Sequence, residues 1–237
     1  MAGQWVQEFH HSPSGTISYV VSDSRTHQAI VIDPVADYCI ESGEIRFDSA
    51  DALLEYIAEN HLQVSAIFET HIHADHLSGS FYLSKKLKVP INIAEGVKTV
   101  YACWKDELAL RDLYQFEHFL LDQERFDFGD SQLEVIATPC HSASDLTFKI
   151  GEAIFIGDAL IAESDHEVWA EQNSVDHLLH ALYTHIQTNG VDVYLGHEEQ
   201  CHGEDRELID ERCGHAVNQE MLTSALTYNL TAQLPAS

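Results

Sequence analysis

ETHIHADHLSG, residues 69–79, places His71, His73, Asp75 and His76 within six positions, directly after the apolar run VSAIF at 64–68. A solvated polar loop accounts for one histidine. It accounts poorly for four first-row metal ligand types presented together, because a buried imidazole or carboxylate is costly unless something pairs with it. VSAIF is β-branched at Val64 and Ile67 and reads as a buried strand. The four groups therefore leave a rigid element, as a metal site requires. The helical zinc pattern, two histidines four apart with a glutamate between them, does not occur in this stretch. The sequence predicts a metal loop.

Further candidates occupy the same context in the second half. His141 follows the strand-like LEVIAT at 133–138, Asp158 ends AIFIGD at 153–158, and His197 follows VDVYLG, read as a buried strand at 191–196. With a Gly or Pro beside each, these loops are expected to converge on one sheet edge. His71, His73 and His141 would form one three-nitrogen site; Asp75, His76 and His197 a neighbouring one; Asp158 would bridge them.

Elsewhere, short β-branched runs at 16–21 and 29–32 predict a hairpin. Ser49, as an N-cap, precedes ADALLEYIAEN, in which Ala52, Leu53, Tyr56 and Ile57 share a helical face. A helix after the metal loop runs to about Leu87 and is ended by Pro90. A short strand INIA and a helix over 96–103 follow. Residues 104–128 mix aromatics with charge and suggest an insertion or lid. LTFKI at 146–150 reads as a strand, SVDHLLHALYTHIQ as an amphipathic helix, and 204–230 as helical. His177, His180 and His185 on the amphipathic stretch read as a partly exposed helix face. No short repeat or low-complexity linker appears, so residues 1–237 read as one domain.

THIHADH matches the HxHxDH signature of the metallo-β-lactamase superfamily, and TPCHS, FIGDAL and YLGHE resemble its later metal motifs. IVIDP resembles its buttressing strand. The resemblance covers nearly the whole chain and implies an α/β (α+β) fold, an αββα sandwich with the metal site at one edge of the two sheets. From the chain's length, the long helical substrate domain of full glyoxalase II enzymes is not expected here. Within the superfamily, residues 31–57 with ETHIHADHLSGSFYLSKKL look like the persulfide (sulfur) dioxygenase group, relatives of glyoxalase II. That resemblance implies one Fe(II) per chain held by His71, His141 and Asp158, with His73, Asp75, His76 and His197 around it. Two histidines and a carboxylate on one face suit non-haem iron. Two departures stand out: Cys140 replaces the glycine of the usual TPGHT, and ALIAESDHEVWAEQNS (159–174) lacks the arginine and Asp-Phe pair expected there. Asp165, His166 and Trp169 are candidate pocket residues in that segment.

Charge narrows the partners. Twelve Lys+Arg against 39 Asp+Glu give a net charge of -27, which repels phosphate backbones and disfavours nucleic acid, and with it a nuclease. No apolar run long enough to span a bilayer occurs, so no membrane partner is expected. Five scattered cysteines without a CxxC pair fit a reducing compartment, and a cytoplasmic location is expected. The expected partner is a small thiol-derived molecule, with a homodimer as the form of self-association. Oxidation of glutathione persulfide by iron and O2 is the leading expectation. The alternative is a hydrolase with two Zn2+ per chain, in which Asp75 is catalytic, holding or deprotonating a water that attacks a glutathione thioester or a lactone. A non-catalytic metal- or partner-binding protein is the third. Glutathione carries two carboxylates, so the few cations near the loops, such as Lys85 and Lys86, would carry its recognition.

Overall fold

Every residue of β2 (Thr16–Asp23) is buried. A strand buried on both faces needs cover on both sides, and that demand sets the layers. The computed structural model describes residues 3–138, 142–158, 192–197 and 219–232. There, β2 lies in a six-stranded sheet ordered β1 (Gln4–His11), β2, β3 (Gln28–Ile32), β6 (Gln63–Phe68), β8 (Ile91–Ala94) and β9 (His118–Leu120). Its inner face, including Ile17, Tyr19 and Phe68, packs on Val135, Phe148 and Phe155 of a second, five-stranded sheet. That sheet runs β10 (Arg125–Phe128), β11 (Ser131–Ala137), β12 (Leu146–Ile150), β13 (Ala153–Phe155) and β14 (Asp192–Tyr194). The outer face, with Val20, Val31 and Ile67, is covered by Leu53 and Ile57 of α1 (Asp48–Glu59) and Leu83 of α2 (Ser80–Leu87). A third cluster gathers Phe81, Ile93, Val97 of α3 (Val97–Trp104) and Leu226 and Leu230 of α4 (Gln219–Thr231). A small sheet of β5 (Glu44–Arg46), β4 (Val35–Cys39) and β7 (Leu77–Ser78) leads into the metal loop.

The mixed α/β sandwich and the 16–21/29–32 hairpin are present as expected. Details differ for physical reasons. Ser49 lies inside α1, and its N–H and hydroxyl both donate to the Asp37 carboxylate, at 2.9 and 2.8 Å. The start of the helix is thus held by a side chain from β4, and its buried stripe is Ala50, Leu53 and Ile57; Ala52 is exposed. α2 ends at Lys88 in the left-handed conformation (φ 60°), two residues before Pro90. Residues 104–128 are no separate insertion, since β9 and β10 extend the two sheets. VDVYLG contributes β14, whose Asp192 and Val193 are exposed, because it pairs with β13 alone among the described strands. The amphipathic stretch 174–187 and residues 204–218 lie outside the described residues.

β3, β6, β8 and β9 are parallel, so their C-terminal ends share one edge, and β13 and β14 are parallel as well. At the far end of β2, the buried Asp23 carboxylate accepts from Arg25 N, Thr26 N, Thr26 Oγ1, Asp130 N and Ser131 Oγ at 2.8–3.2 Å, tying one sheet to the other. Burial opposes its charge, but the donors on Ser131, Thr26 and Arg25 prevail and bring its pKa down from 3.8 to about 2. Asp23→Asn is expected to lower stability by about 1–3 kcal/mol at neutral pH. A depressed folded pKa makes that contribution complete above about pH 4 and lost as pH falls through about 2. Urea melts of both proteins at pH 7 and pH 2.5 check this: the gap between them should narrow in acid.

Candidate metal centre

Asp33 follows β3, and Glu69, Thr70 and His71 follow the adjacent β6. Asp33 takes φ 48°, a left-handed conformation uncommon outside glycine that Asp, with Asn and His, adopts more readily than other side chains. Its N–H donates to the Phe68 carbonyl at 3.0 Å, and its carboxylate accepts the Thr70 N–H and hydroxyl, both at 2.7 Å. With the Thr70 hydrogen committed to Asp33, its oxygen accepts from His71 Nδ1 at 3.0 Å. That hydrogen bond fixes the tautomer and leaves the His71 Nε2 lone pair facing Asp158, 3.3 Å from its carboxylate. A lone pair and a carboxylate at that separation repel unless a proton or a metal cation lies between them.

His73 is oriented in the same manner. Its Nε2 faces Asp33 at 3.3 Å and Glu69 at 3.2 Å, while Nδ1 is buried without a hydrogen-bond partner. Glu69 in turn accepts the hydroxyls of Ser78 and Ser80. His76 Nδ1 meets Asp75 and the Thr16 hydroxyl, each at 3.2 Å, leaving Nε2 buried and unpartnered. His197 Nε2 lies 3.4 Å from both Asp75 and Asp158. The glycines preceding these ligand types have a reason: Gly196 N donates to Gly157 O at 3.0 Å, and a Cβ on Gly196 would overlap the Asp158 carboxylate.

Four donor groups result, each within ligating reach: His71, His73, Asp158; His73, Asp75, His76; Asp75, Asp158, His197; and Asp33, Glu69, His73. The last is already hydrogen-bonded internally and supports His73. The other three share members and set imidazoles beside carboxylates, with His73 Nδ1 and His76 Nε2 buried and unpartnered, in a place only 1–6% exposed for the His71, His73, His76, Asp158 and His197 residues. Such a donor set fits a divalent first-row ion.

Electrostatics agree. Burial works against charge on Asp158, but His71 and His197 outweigh it and hold the carboxyl well below the usual range. Burial likewise opposes a charged His197, and Asp158 and Asp75 prevail, raising its pKa to about 9. For His76 burial wins, and the pKa falls to about 4. Burial raises Glu69. Protons thus balance the carboxylates here, and a bound cation would displace them.

Six of the seven sequence candidates, His71, His73, Asp75, His76, Asp158 and His197, come together. His141 and Cys140 lie outside the described residues, as do Asp165, His166 and Trp169. The turn directly after His141 is bound to the metal loop: Ile72 N donates to Ser144 Oγ at 3.3 Å, and Leu146 N to the Thr70 carbonyl at 2.8 Å. Lys85 and Lys86 do not reach the site. They stand exposed in the last turn of α2, with Lys86 over the Tyr82 ring. Sequence reasoning missed the supporting groups Asp33, Glu69, Thr16 and Asn229. Asp33 and Glu69 were detectable as charges ending apolar strands; Asn229 carries no local signal.

Residues 12–197 match the metallo-β-lactamase superfamily. The chain belongs to that superfamily. As a metallo-β-lactamase-fold protein it is similar to Glyoxylase B2 of Dictyostelium discoideum, 34% identical over 162 residues, spanning 65% of this chain and 56% of that protein. It is also similar to the mitochondrial persulfide dioxygenase ETHE1 of Bos taurus, 24% identical over 185 residues, spanning 77% of this chain and 63% of that protein. The chain thus spans less than two thirds of either relative's length. Among solved structures, ETHE1 from Myxococcus xanthus superposes with a TM-score of 0.63 at 22% identity, covering 95% of this chain and 92% of that one. At that identity the likeness speaks for the fold. Among the described residues no helix is long and apolar enough to cross a membrane.

Proposed function

We propose that this metallo-β-lactamase-fold metalloenzyme oxidises a small thiol persulfide, with glutathione persulfide as the first candidate, using one Fe(II) per chain held by His71, His141 and Asp158. The observation that carries the reading is the His71–Asp158 pair, buried and 3.3 Å apart, with His71 locked by Thr70 and Asp33 so that its lone pair faces the carboxylate. Similarity to the Bos taurus persulfide dioxygenase supports it. When bound, iron would supply the redox chemistry for placing both oxygen atoms of O2 on the terminal sulfur. The chain's own residues set the geometry. Asp33 and Thr70 aim His71, Asp33 and Glu69 aim His73, and the burial of these side chains limits water at the metal position.

A second reading rests on its own observation. His76, with an unpartnered Nε2, together with Asp75 and His197, offers a further donor set beside the first, as a dinuclear zinc hydrolase of glutathione thioesters or lactones would need. Similarity to Glyoxylase B2 points the same way.

An oxygen electrode trace with glutathione persulfide, run beside lactoylglutathione hydrolysis on the same iron-loaded preparation, separates the two. Oxygen uptake is expected, with apparent affinity improving as added salt screens the repulsion between the acidic surface and an anionic substrate. Rapid thioester cleavage without oxygen uptake would select the hydrolase.

A further inference from the structure

The metal loop is held from an unexpected direction. Asn229, on α4, is 2% exposed, and its Nδ2 donates to two backbone carbonyls of the loop, His73 O and His76 O, both at 2.9 Å. Its Oδ1 accepts the N–H of Ser78 at 2.7 Å. One planar carboxamide therefore ties three points of the backbone segment that displays His73, Asp75 and His76. The geometry demands asparagine. Aspartate has no N–H and would set a carboxylate oxygen against two carbonyls, and glutamine adds a methylene that the buried position has no room to absorb.

The helix does not need this clamp to dock. Ala225, Leu226 and Leu230 bury themselves with Ile72, Leu77 and Phe81, the Tyr114 N–H donates to Leu230 O at 2.8 Å, and Ser224 meets the Tyr38 hydroxyl at 3.3 Å. Packing secures α4, whereas Asn229 spends all three of its contacts on the loop's shape.

We propose that Asn229 is a positioning residue of the metal centre, holding the loop backbone so that its imidazoles point at the ion, and that it couples metal retention to the docking of α4. The proposal rests on the loop being the metal site. Because coupling is reciprocal, metal should tighten α4 as much as α4 tightens the metal.

The test measures zinc affinity of the 237-residue chain by competition with a chromophoric chelator, and hydrogen exchange of α4 amides with and without zinc. Asn229→Asp is expected to bind zinc about 10- to 100-fold more weakly, as for other groups that orient metal ligands. Leu226→Ala, a cavity variant of the same helix that leaves the Asn229 clamp intact, should lower Tm and, with α4 still docked, change zinc affinity far less than Asn229→Asp. In the wild type, zinc should slow exchange in α4; in Asn229→Asp that protection should shrink. Wild-type zinc affinity in Asn229→Asp, an equal loss in Leu226→Ala, or α4 exchange in the wild type indifferent to zinc would each overturn the proposal. A wild-type protein that binds neither zinc nor iron would overturn the metal-site reading as well. The exchange measurement on the wild type stands even where a variant fails to fold.

Discussion

Asp158→Asn is expected to leave the protein nearly free of metal and without activity. Asp158, like Asp75, belongs to two donor groups, and it faces His71 at 3.3 Å and His197 at 3.4 Å. The amide is nearly isosteric but neutral. It removes a negatively charged ligand from a buried place and leaves His71 with no carboxylate opposite its lone pair. The loss of metal affinity should exceed the about 10- to 100-fold seen when only an orienting partner is removed. Folding should survive with some loss of stability: removing one partner of a buried ion pair is costly in the metal-free protein, and the imidazoles facing Asp158 can give up their protons in response. Metal analysis of variant and wild type, with circular dichroism to show that both are folded, gives the answer. Full iron content in Asp158→Asn would remove this carboxylate from the site.

His197→Ala has the second largest expected effect, and its form distinguishes the two chemistries. His197 contacts Asp75 and Asp158 and belongs to the donor group away from His73. With a single ion at His71, His141 and Asp158, the variant should keep most of its metal and lose about 10- to 100-fold in activity, through disordered carboxylates. With two ions, it should lose one per chain. The readout is the ratio of metal bound by variant and wild type, measured on the same chelator-treated preparations.

Much of this centre was legible before any coordinates, because metal chemistry is carried by few residue types and because strands announce their ends. THIHADH after VSAIF, FIGD and YLGH each put a ligand type directly beyond an apolar run, and the parallel strands bring those ends to one edge. What sequence could not convey was support. Thr16 lies 60 residues from His76 and Asn229 lies 156 from His73. Such partners are chosen by tertiary proximity alone, and a threonine or an asparagine in an amphipathic stretch has no periodicity to betray it. The Ser49 assignment failed for a related reason. A serine before a helical run is a good local cap, but Asp37 from a neighbouring strand supplies a charged acceptor that outcompetes the local arrangement. Lys85 and Lys86 were close to the loop in sequence, yet a helix carries each residue about 1.5 Å further along its axis, and α2 takes them away from it.

The tie between the two ends of the chain bears on when the protein can acquire its ion during its manufacture. Asn229 reaches back to the loop at His73, and the Tyr19 hydroxyl donates to the Leu195 carbonyl 176 residues downstream, beside His197. Contacts so far apart in sequence form late, because loop-closure entropy must be overcome before they are rewarded. A ribosome still holding the last of these residues carries a nascent chain with THIHADH already exposed but no frame to shape it. Its histidines can then meet ions only as loose, unselective chelators. Choice of metal would then fall to the finished fold rather than to the emerging segment, from whatever ions its surroundings offer at that moment.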